Sequence, residues 1–244
     1  MKYMGSKNRI AKEIIEVILK DNLQAEYFYD VCCGGANLID KVPNNYKRIA
    51  IDKNKYLIAL LNKIKNNPKD LPLINKEEYY KIKNNKENYE DWLVGWCGIG
   101  HSYNGVWFGS YAGITKTKSG KIRDYRAEAV RNAIKQSKLI QDVDFICSSY
   151  ENFKYNKNSV IFIDPPYNKT SKYKAVNDFN HNKFWNWVRD MSNSGYNVYV
   201  TEYSAPKDFE CIWSKELDNS FNKRLITKSG LEKLFILKKY LDKY

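Results

Sequence analysis

The sequence predicts an α/β fold with a doubly wound, mostly parallel sheet of seven strands. Three observations predict it. A short apolar run at residues 27–33 ends at paired glycines, and a second run at 48–51 ends at an acidic residue. A helical pattern follows the second run, and comparable apolar runs return after residue 142. Strands that alternate with helices in this way build a parallel sheet covered by helices.

Each element follows from the spacing of its apolar residues. Ile10, Ile14, Val17 and Ile18 lie at helical spacing, so the chain is expected to open with a helix at 6–20. Another helix is expected between the paired glycines and the second strand. Further strands are predicted at 143–148, 160–163 and 196–201, and further helices at 56–64 and 179–191. The tail at 211–239 is expected to close the sheet with antiparallel strands.

The segment between the second and third strands is too long for a simple crossover. It is rich in Lys, Asn and Tyr and then becomes aromatic and punctuated by glycines. We therefore predict a core domain at 1–65 and 142–244, with an inserted subdomain at 66–141.

The composition favours a polyanionic partner. The chain carries 41 Lys and Arg against 28 Asp and Glu, a formal net charge of +13. Lys, Asn and Tyr alternate through much of it, and together they supply phosphate contacts and flat faces for bases. A nucleic acid therefore fits this chain better than an acidic protein surface does.

The cysteines and histidines predict neither a disulfide framework nor a metal site. The five cysteines are an odd number, and the two histidines lie far from any closely spaced cysteine pair. No apolar stretch reaches the length of a membrane span. We expect a cytoplasmic protein with reduced thiols, no membrane association and no metal.

The most specific signal is the string Asp164-Pro165-Pro166-Tyr167, which follows the apolar run VIFI. Open α/β sheets bind ligands beyond the carboxyl ends of their strands. The amino group of adenine is a poor nucleophile, and a catalyst must accept both of its hydrogens. The carboxylate of Asp164 and the rigidly held carbonyl of Pro165 supply two acceptors. Tyr167 offers its ring face, and not its hydroxyl, to an extruded base.

A glycine turn and a strand-end acid predict a nucleoside cofactor. Gly34 and Gly35 allow the backbone to approach a ligand closely. Asp52 ends the second strand, about twenty residues further on, where nucleoside-binding sheets carry an acid for the ribose hydroxyls.

With these motifs in place, the chain resembles the Dam-type adenine-specific DNA methyltransferases over nearly its whole length. The resemblance rests on the segments KYMGSK, DVCCGGANLID, AIDKN, SYNGVWFGSYAG, SSYENF, DPPY and VTEYSAP. It implies a Rossmann-like methyltransferase sheet with an inserted DNA-recognition subdomain, S-adenosylmethionine as the methyl donor, and double-stranded DNA as the substrate. The family often reads GATC, so this site is the expected target.

The resemblance also implies roles for individual residues. Cofactor contacts fall on Tyr3, Lys7, Asp30, Gly34, Gly35, Asp52, Tyr150 and Asp164, and catalysis falls on Asp164, Pro165 and Tyr167. Tyr103 and Asn104 lie in the segment that resembles the family's recognition hairpin. They are expected to touch DNA, away from the sheet ends. From their charge and place in the insertion, the residues expected to contact phosphates are Lys116, Lys118, Lys121 and Arg123.

The chain departs from the family pattern at the first turn. Ala36 replaces the third glycine, and Val31-Cys32 replaces the usual Pro-Phe pair. Because alanine tolerates the start of a helix and cysteine is a small hydrophobe, we expect altered packing without loss of cofactor binding.

Three aromatic or basic side chains receive no catalytic role. Trp185 and Trp187 are interpreted as packing residues. His101 is interpreted as a phosphate or solvent contact, because methyl transfer needs no strong base.

Other functions stay open at this stage. An enzyme that methylates an amide side chain or an RNA adenine faces the same planar nitrogen, although Asp164 stands where amide-methylating enzymes carry Asn. A non-catalytic or inactive DNA-binding protein could keep the fold, although Asp164 and Tyr167 are intact. We expect a monomer in solution.

Overall fold

The computed structural model describes residues 1–117, 119–167, 179–217 and 230–238. Within them, a seven-stranded sheet has the spatial order β5-β2-β1-β6-β7-β9-β8. Its strands are β1 (Tyr27–Val31), β2 (Lys47–Asp52), β5 (Asp144–Cys147), β6 (Ser159–Ile163), β7 (Asn197–Glu202), β8 (Phe209–Leu217) and β9 (Gly230–Leu237). A separate two-stranded hairpin pairs β3 (Ile114–Lys116) with β4 (Ile122–Asp124).

The sheet confirms the predicted fold class. The strands β5, β2, β1, β6 and β7 are mutually parallel, and β9 runs antiparallel between β7 and β8. The tail therefore closes the sheet with antiparallel strands, as predicted. The strands β2 and β5 lie on one side of β1, and the next strand along the chain, β6, lies on its other side. Ligands bind at such a point of reversal, beyond the carboxyl ends of the strands.

Six α-helices lie within the described residues. They are α1 (Ala11–Lys20), α2 (Lys55–Asn66), α3 (Lys76–Asn84), α4 (Asp91–Gly95), α5 (Tyr125–Ser137) and α6 (His181–Asn193). The side chain of Asn54 accepts hydrogen bonds from the amides of Tyr56 and Leu57, which starts α2 directly after the acid that ends β2. The strand-end acid and the helix start are therefore fixed by adjacent residues.

The helix predicted after the glycine turn is absent, and that prediction was wrong. Between β1 and β2 the chain forms only turns and a short 3₁₀ segment, Ile39–Lys41. Cys32, Gly34 and Ala36 all have positive φ, so the backbone there cannot enter a right-handed helix. Ala36, which was expected at a helix start, has φ +53° and is fully buried.

The segment 66–141 packs against α2 through shared apolar residues. Ile74, Tyr79 and Trp96 belong to the same buried cluster as Leu57 and Ile64 of α2. Gly95 ends α4 where a Cβ would lie 2.2 Å from the carbonyl oxygen of Tyr56, so only glycine allows this close approach. The boundaries of an inserted subdomain stay a prediction.

The segment that resembles the family's recognition hairpin forms a loop and not a pair of strands. Residues 102–113 form a loop closed by an isolated bridge between Ser102 and Tyr111. The two-stranded hairpin, β3 and β4, follows that loop. The role of this loop in DNA recognition stays a prediction.

His101 anchors this loop from inside the protein, so its interpretation as a phosphate or solvent contact was wrong. Its side chain is fully buried, and Nε2 accepts a hydrogen bond from the amide of Ile74 at 3.1 Å. Nδ1 lies 3.4 Å from the carbonyl oxygen of Trp96, so it carries the proton. Burial lowers the pKa of His101 to about 4, which keeps the ring neutral.

We expect His101 to make the protein sensitive to acid. In the unfolded chain its pKa returns to about 6.5, so the unfolded chain takes up a proton first as the pH falls. This stability is present above pH 6.5 and is lost as the pH falls toward 4. Between pH 7 and pH 5 the loss is about 2 kcal/mol.

Denaturant unfolding of His101→Gln should therefore show a pH dependence smaller by about that amount. His181→Gln is the matched control, because that ring is only partly buried and its removal should change the pH dependence less. An unchanged pH dependence in His101→Gln would contradict a neutral buried ring.

Candidate active site

Three acidic residues gather at the carboxyl ends of adjacent strands. Asp52 ends β2, Asp30 lies one residue before the end of β1, and Asp164 follows β6. Val31 pairs with Ile163 in the sheet, and the amide of Asp164 donates to the carbonyl oxygen of Val31 at 3.1 Å. This pairing fixes the glycine turn and the Asp-Pro-Pro-Tyr string side by side.

Two neighbours hold the carboxylate of Asp164. Lys7 Nζ lies 2.9 Å from Oδ2, and the hydroxyl of Thr201, on β7, donates to Oδ1 at 2.7 Å. A carboxylate oxygen has two acceptor positions, so each oxygen keeps capacity for a further donor. Pro165, the next residue, is buried. Asp164 is therefore held in one orientation and can still accept hydrogen bonds.

Lys7 lies between two carboxylates. Its Nζ is 3.8 Å from Glu232 Oε2, as well as 2.9 Å from Asp164, and its side chain is almost completely buried. Burial alone lowers the pKa of Lys7, but the two carboxylates outweigh burial and the pKa lies above its ordinary value. The ammonium also lies 4.6 Å from the centroid of the Tyr167 ring. Lys7 thus stays cationic beside the Asp-Pro-Pro-Tyr string.

Tyr167 has a partner for its hydroxyl that the sequence did not indicate. The hydroxyl donates to Glu232 Oε2 at 2.6 Å, and the ring meets Tyr203 edge to face at 4.6 Å. Burial, followed by the charges of Asp164 and Glu232, raises the pKa of Tyr167 well above its usual range. The hydroxyl is therefore a permanent donor, and the ring is oriented by contacts at its tip and its edge.

Sequence reasoning missed Glu232 and Thr201. Glu232 lies far along the chain on β9, and only the pairing of β9 with β7 brings it to the site. Thr201 is one of several polar residues near a strand end, and nothing in its local sequence sets it apart.

The glycine turn makes room for Tyr3. A Cβ on Gly34 would lie 2.7 Å from Tyr3 Cε1, and a Cβ on Gly35 would lie 2.7 Å from Tyr3 Cβ. Gly34 also has φ +50°, which side chains disfavour. The segment that carries Tyr3 and Lys7 therefore packs directly against the turn, and the contact of both residues with the cofactor stays a prediction.

Asp52 and Asp30 have different surroundings. The carboxylate of Asp52 accepts hydrogen bonds from the amides of Gly34 at 3.2 Å and Asn54 at 2.9 Å, and burial raises its pKa. Asp30 is only 1% exposed and accepts from the amide of Ile39 at 3.2 Å. Burial raises the pKa of Asp30 well above its usual range. Asp52 organises the turn from the next strand, and Asp30 braces the backbone beyond it.

Tyr150 is part of an aromatic cluster. Its ring packs against Phe184 at 5.6 Å and Trp187 at 5.0 Å, both on α6. Burial raises the pKa of its hydroxyl. Trp185 packs on Phe209 at 4.6 Å, so both tryptophans serve packing, as predicted.

The loop that carries Tyr103 and Asn104 rests on the N-terminal segment. The amide of Met4 donates to the carbonyl oxygen of Gly105 at 3.4 Å, and a Cβ on Gly105 would lie 2.5 Å from the carbonyl oxygen of Lys2. The loop therefore packs against the segment that carries Tyr3 and Lys7, and contact of Tyr103 and Asn104 with DNA stays a prediction. Tyr103 is 45% exposed, so its ring is still open to solvent.

The basic residues of the β3–β4 hairpin differ in their exposure and ion pairing. Lys116 and Lys121 are exposed. Arg123 pairs with Glu128 at 2.7 Å and lies 4.4 Å from the centroid of the Tyr125 ring. Lys118 lies outside the described residues.

Neither a metal cluster nor a membrane span is found in the described parts of the chain. No group of three or more His, Cys, Asp or Glu side chains is placed to hold a metal ion there. No helix there has both the length and the apolar character needed to cross a bilayer.

Comparison with known proteins identifies the family. The model of the D12 class N6 adenine-specific DNA methyltransferases matches residues 3–93 and 102–222. A comparison with curated protein sequences gave no match. Among solved structures, the chain is similar to SMU.472, a protein assigned as a methyltransferase and complexed with SAH, at 13% identity and a TM-score of 0.38. That similarity covers 95% of this chain, which spans only 52% of the SMU.472 chain. The family match covers most of the sequence and both motif-bearing segments, and the chain therefore belongs to the D12 class N6 adenine-specific DNA methyltransferase family.

Proposed function

We propose that the protein transfers a methyl group from S-adenosylmethionine to the exocyclic amino group of adenine in double-stranded DNA. The observation that carries the proposal is the carboxylate of Asp164, held by Lys7 and Thr201 at the carboxyl end of β6. A fixed acceptor at a sheet's reversal point suits a poor amino nucleophile that must be oriented and not deprotonated in advance.

Asp164 and Pro165 would act on the amino group together. One hydrogen is accepted by the carboxylate and the other by the backbone carbonyl of Pro165, whose direction the proline rings restrict. Both acceptors favour a tetrahedral nitrogen whose lone pair is free to react. Once the nitrogen carries the new methyl group its proton becomes acidic, so no strong base is required.

The surroundings of the glycine turn fit S-adenosylmethionine. Gly34 and Gly35 present backbone without side chains, and Asp52 provides a carboxylate beside them for ribose hydroxyls. When bound, the cofactor supplies an activated methyl group. Tyr3, Lys7, Asp30, Tyr150 and Asp164 complete the proposed set of cofactor residues, in which Asp30 and Tyr150 act by shaping the turn and the wall around it.

The DNA is proposed to lie over the insertion. Tyr167 stacks on the flipped adenine, Tyr103 and Asn104 touch neighbouring bases, and Lys116, Lys118, Lys121 and Arg123 face phosphates. The proposed target is GATC. We further propose that the protein acts as a cytoplasmic monomer without a metal.

The function is tested by tritiated-methyl transfer to DNA with and without GATC sites. Wild type should label GATC-containing DNA, and Asp164→Asn should lose at least about a hundredfold in rate, because it loses a charged acceptor in the chemical step. Label at adenine N6 in other sequences would correct only the target. Full activity in Asp164→Asn would refute the assigned site.

Asp52 should contribute to cofactor affinity. Asp52→Ala loses hydrogen bonds from a charged acceptor to ribose hydroxyls, which predicts weaker binding of S-adenosylmethionine by about 10- to 100-fold. Titration calorimetry measures this affinity directly. The matched control is Asp144→Ala, an exposed acid at the opposite, amino end of the neighbouring strand β5, which should bind like wild type. Equal affinity in both variants would remove Asp52 from the site.

The hairpin lysines should determine the salt dependence of DNA binding. Each lost phosphate contact lowers the slope of log affinity against log salt by about 0.9. Lys116→Ala and Lys121→Ala should each show this change, and Arg123→Gln should show less because Glu128 already pairs with that charge. Lys20→Ala, at the exposed end of α1, is the control that should leave the slope unchanged. An unaltered slope in the hairpin variants would place the basic surface elsewhere.

A further inference from the structure

We infer that Glu232 is the positioning residue for Tyr167: by accepting the hydrogen bond of the tyrosine hydroxyl, it holds the ring in the orientation that a flipped base requires. The inference rests on the proposed function, because it assigns Tyr167 to the base. It extends that function to a strand, β9, that carries none of the family motifs quoted above.

The geometry singles out Glu232. Its Oε2 lies 2.6 Å from the hydroxyl of Tyr167 and 3.8 Å from Lys7 Nζ, and its side chain is only 12% exposed. The ring therefore has its tip fixed by Glu232, its edge against Tyr203 and the ammonium of Lys7 at 4.6 Å from its centroid. Of these three contacts, the hydrogen bond is the shortest and the most directional.

The sheet itself gives no reason for a carboxylate at this position. Leu234, two residues along the same strand and on the same face, is fully buried, and an apolar side chain would suit position 232 equally well. Burying a carboxylate is costly unless it is hydrogen-bonded and paired. Here Tyr167 and Lys7 provide that hydrogen bond and that charge. The carboxylate of Glu232 is therefore explained by its contacts with these two residues and not by packing in the sheet.

A fixed ring matters because stacking depends on orientation. An extruded adenine gains stacking energy only where it meets a flat face in the right plane, and Tyr167 directly follows the two prolines that position the amino-group acceptors. Without Glu232, the ring would keep its contacts with Tyr203 and Lys7, and its hydroxyl would keep the contact with Thr201, but the short hydrogen bond to the carboxylate would be lost. The loss should therefore appear in the flipping step and in the rate of methylation.

A double-mutant cycle tests the inference. Glu232→Ala and Tyr167→Phe each remove the same hydrogen bond, so each should lower the single-turnover methylation rate by about tenfold. The double variant should be no slower than the singles. Glu232→Gln keeps an oxygen acceptor for the hydroxyl and should recover most of the rate. Glu216→Gln, the same change at an exposed position of β8, should behave like wild type.

A readout of the flipped base separates positioning from general stability. With 2-aminopurine at the target position, Glu232→Ala should show a smaller fluorescence increase than wild type. The two proteins are compared at equal concentrations of folded protein, and thermal unfolding checks the folded fraction. Three results would overturn the inference. The rate losses of the two single variants could multiply in the double variant, Glu232→Gln could be as slow as Glu232→Ala, or Glu232→Ala could show the same fluorescence increase as wild type.

The outcome can be told apart from failure of the proposed function. If Asp164→Asn is inactive and the rate losses of Glu232→Ala and Tyr167→Phe multiply in the double variant, only the role of Glu232 is refuted. If Asp164→Asn is fully active, the assigned site is refuted, and the role of Glu232 falls with it.

Discussion

The ion pair between Lys7 and Asp164 is the contact on which the site depends. It joins the N-terminal segment to the carboxyl end of β6 at 2.9 Å, and both side chains are largely buried. Removing one member of a buried pair leaves an uncompensated charge and typically costs about 3–5 kcal/mol. Thr201 contacts Asp164 and Glu232 contacts Lys7, so both further polar side chains lie against this pair. The N-terminal segment is therefore joined to the candidate site by the fold itself.

The sequence predicted most of the site because its signals are local. A strand, its terminal acid and the residues that follow are contiguous, so Asp52, the glycine turn and the Asp-Pro-Pro-Tyr string could be located by position alone. The parallel sheet then brings those strand ends together without further information. The mostly parallel sheet followed from the alternation of strands and helices, and its antiparallel closing strands were expected from the tail. The order of the strands was not predicted.

The parts that could not be predicted depend on contacts distant in sequence or on individual backbone angles. Glu232 reaches the site only because β9 is inserted between β7 and β8. The missing helix after β1 results from three left-handed residues, two of which are not glycine. His101 was misjudged because a polar aromatic segment reads as surface, whereas the fold buries this ring against Trp96 and Ile74.

The contact of Gly105 with Lys2 limits how target choice could diverge in this chain. At Gly105, the loop that carries Tyr103 and Asn104 packs against the backbone of the segment that carries Tyr3 and Lys7. There is no space for even a methyl group between the two backbones there. Insertions, deletions or a branched residue at Gly105 would displace both the loop that is proposed to touch the DNA bases and the segment that is proposed to contact the methyl donor. Under these proposed roles, a change in the recognised DNA sequence would come from exchanges of side chains on a loop of constant length.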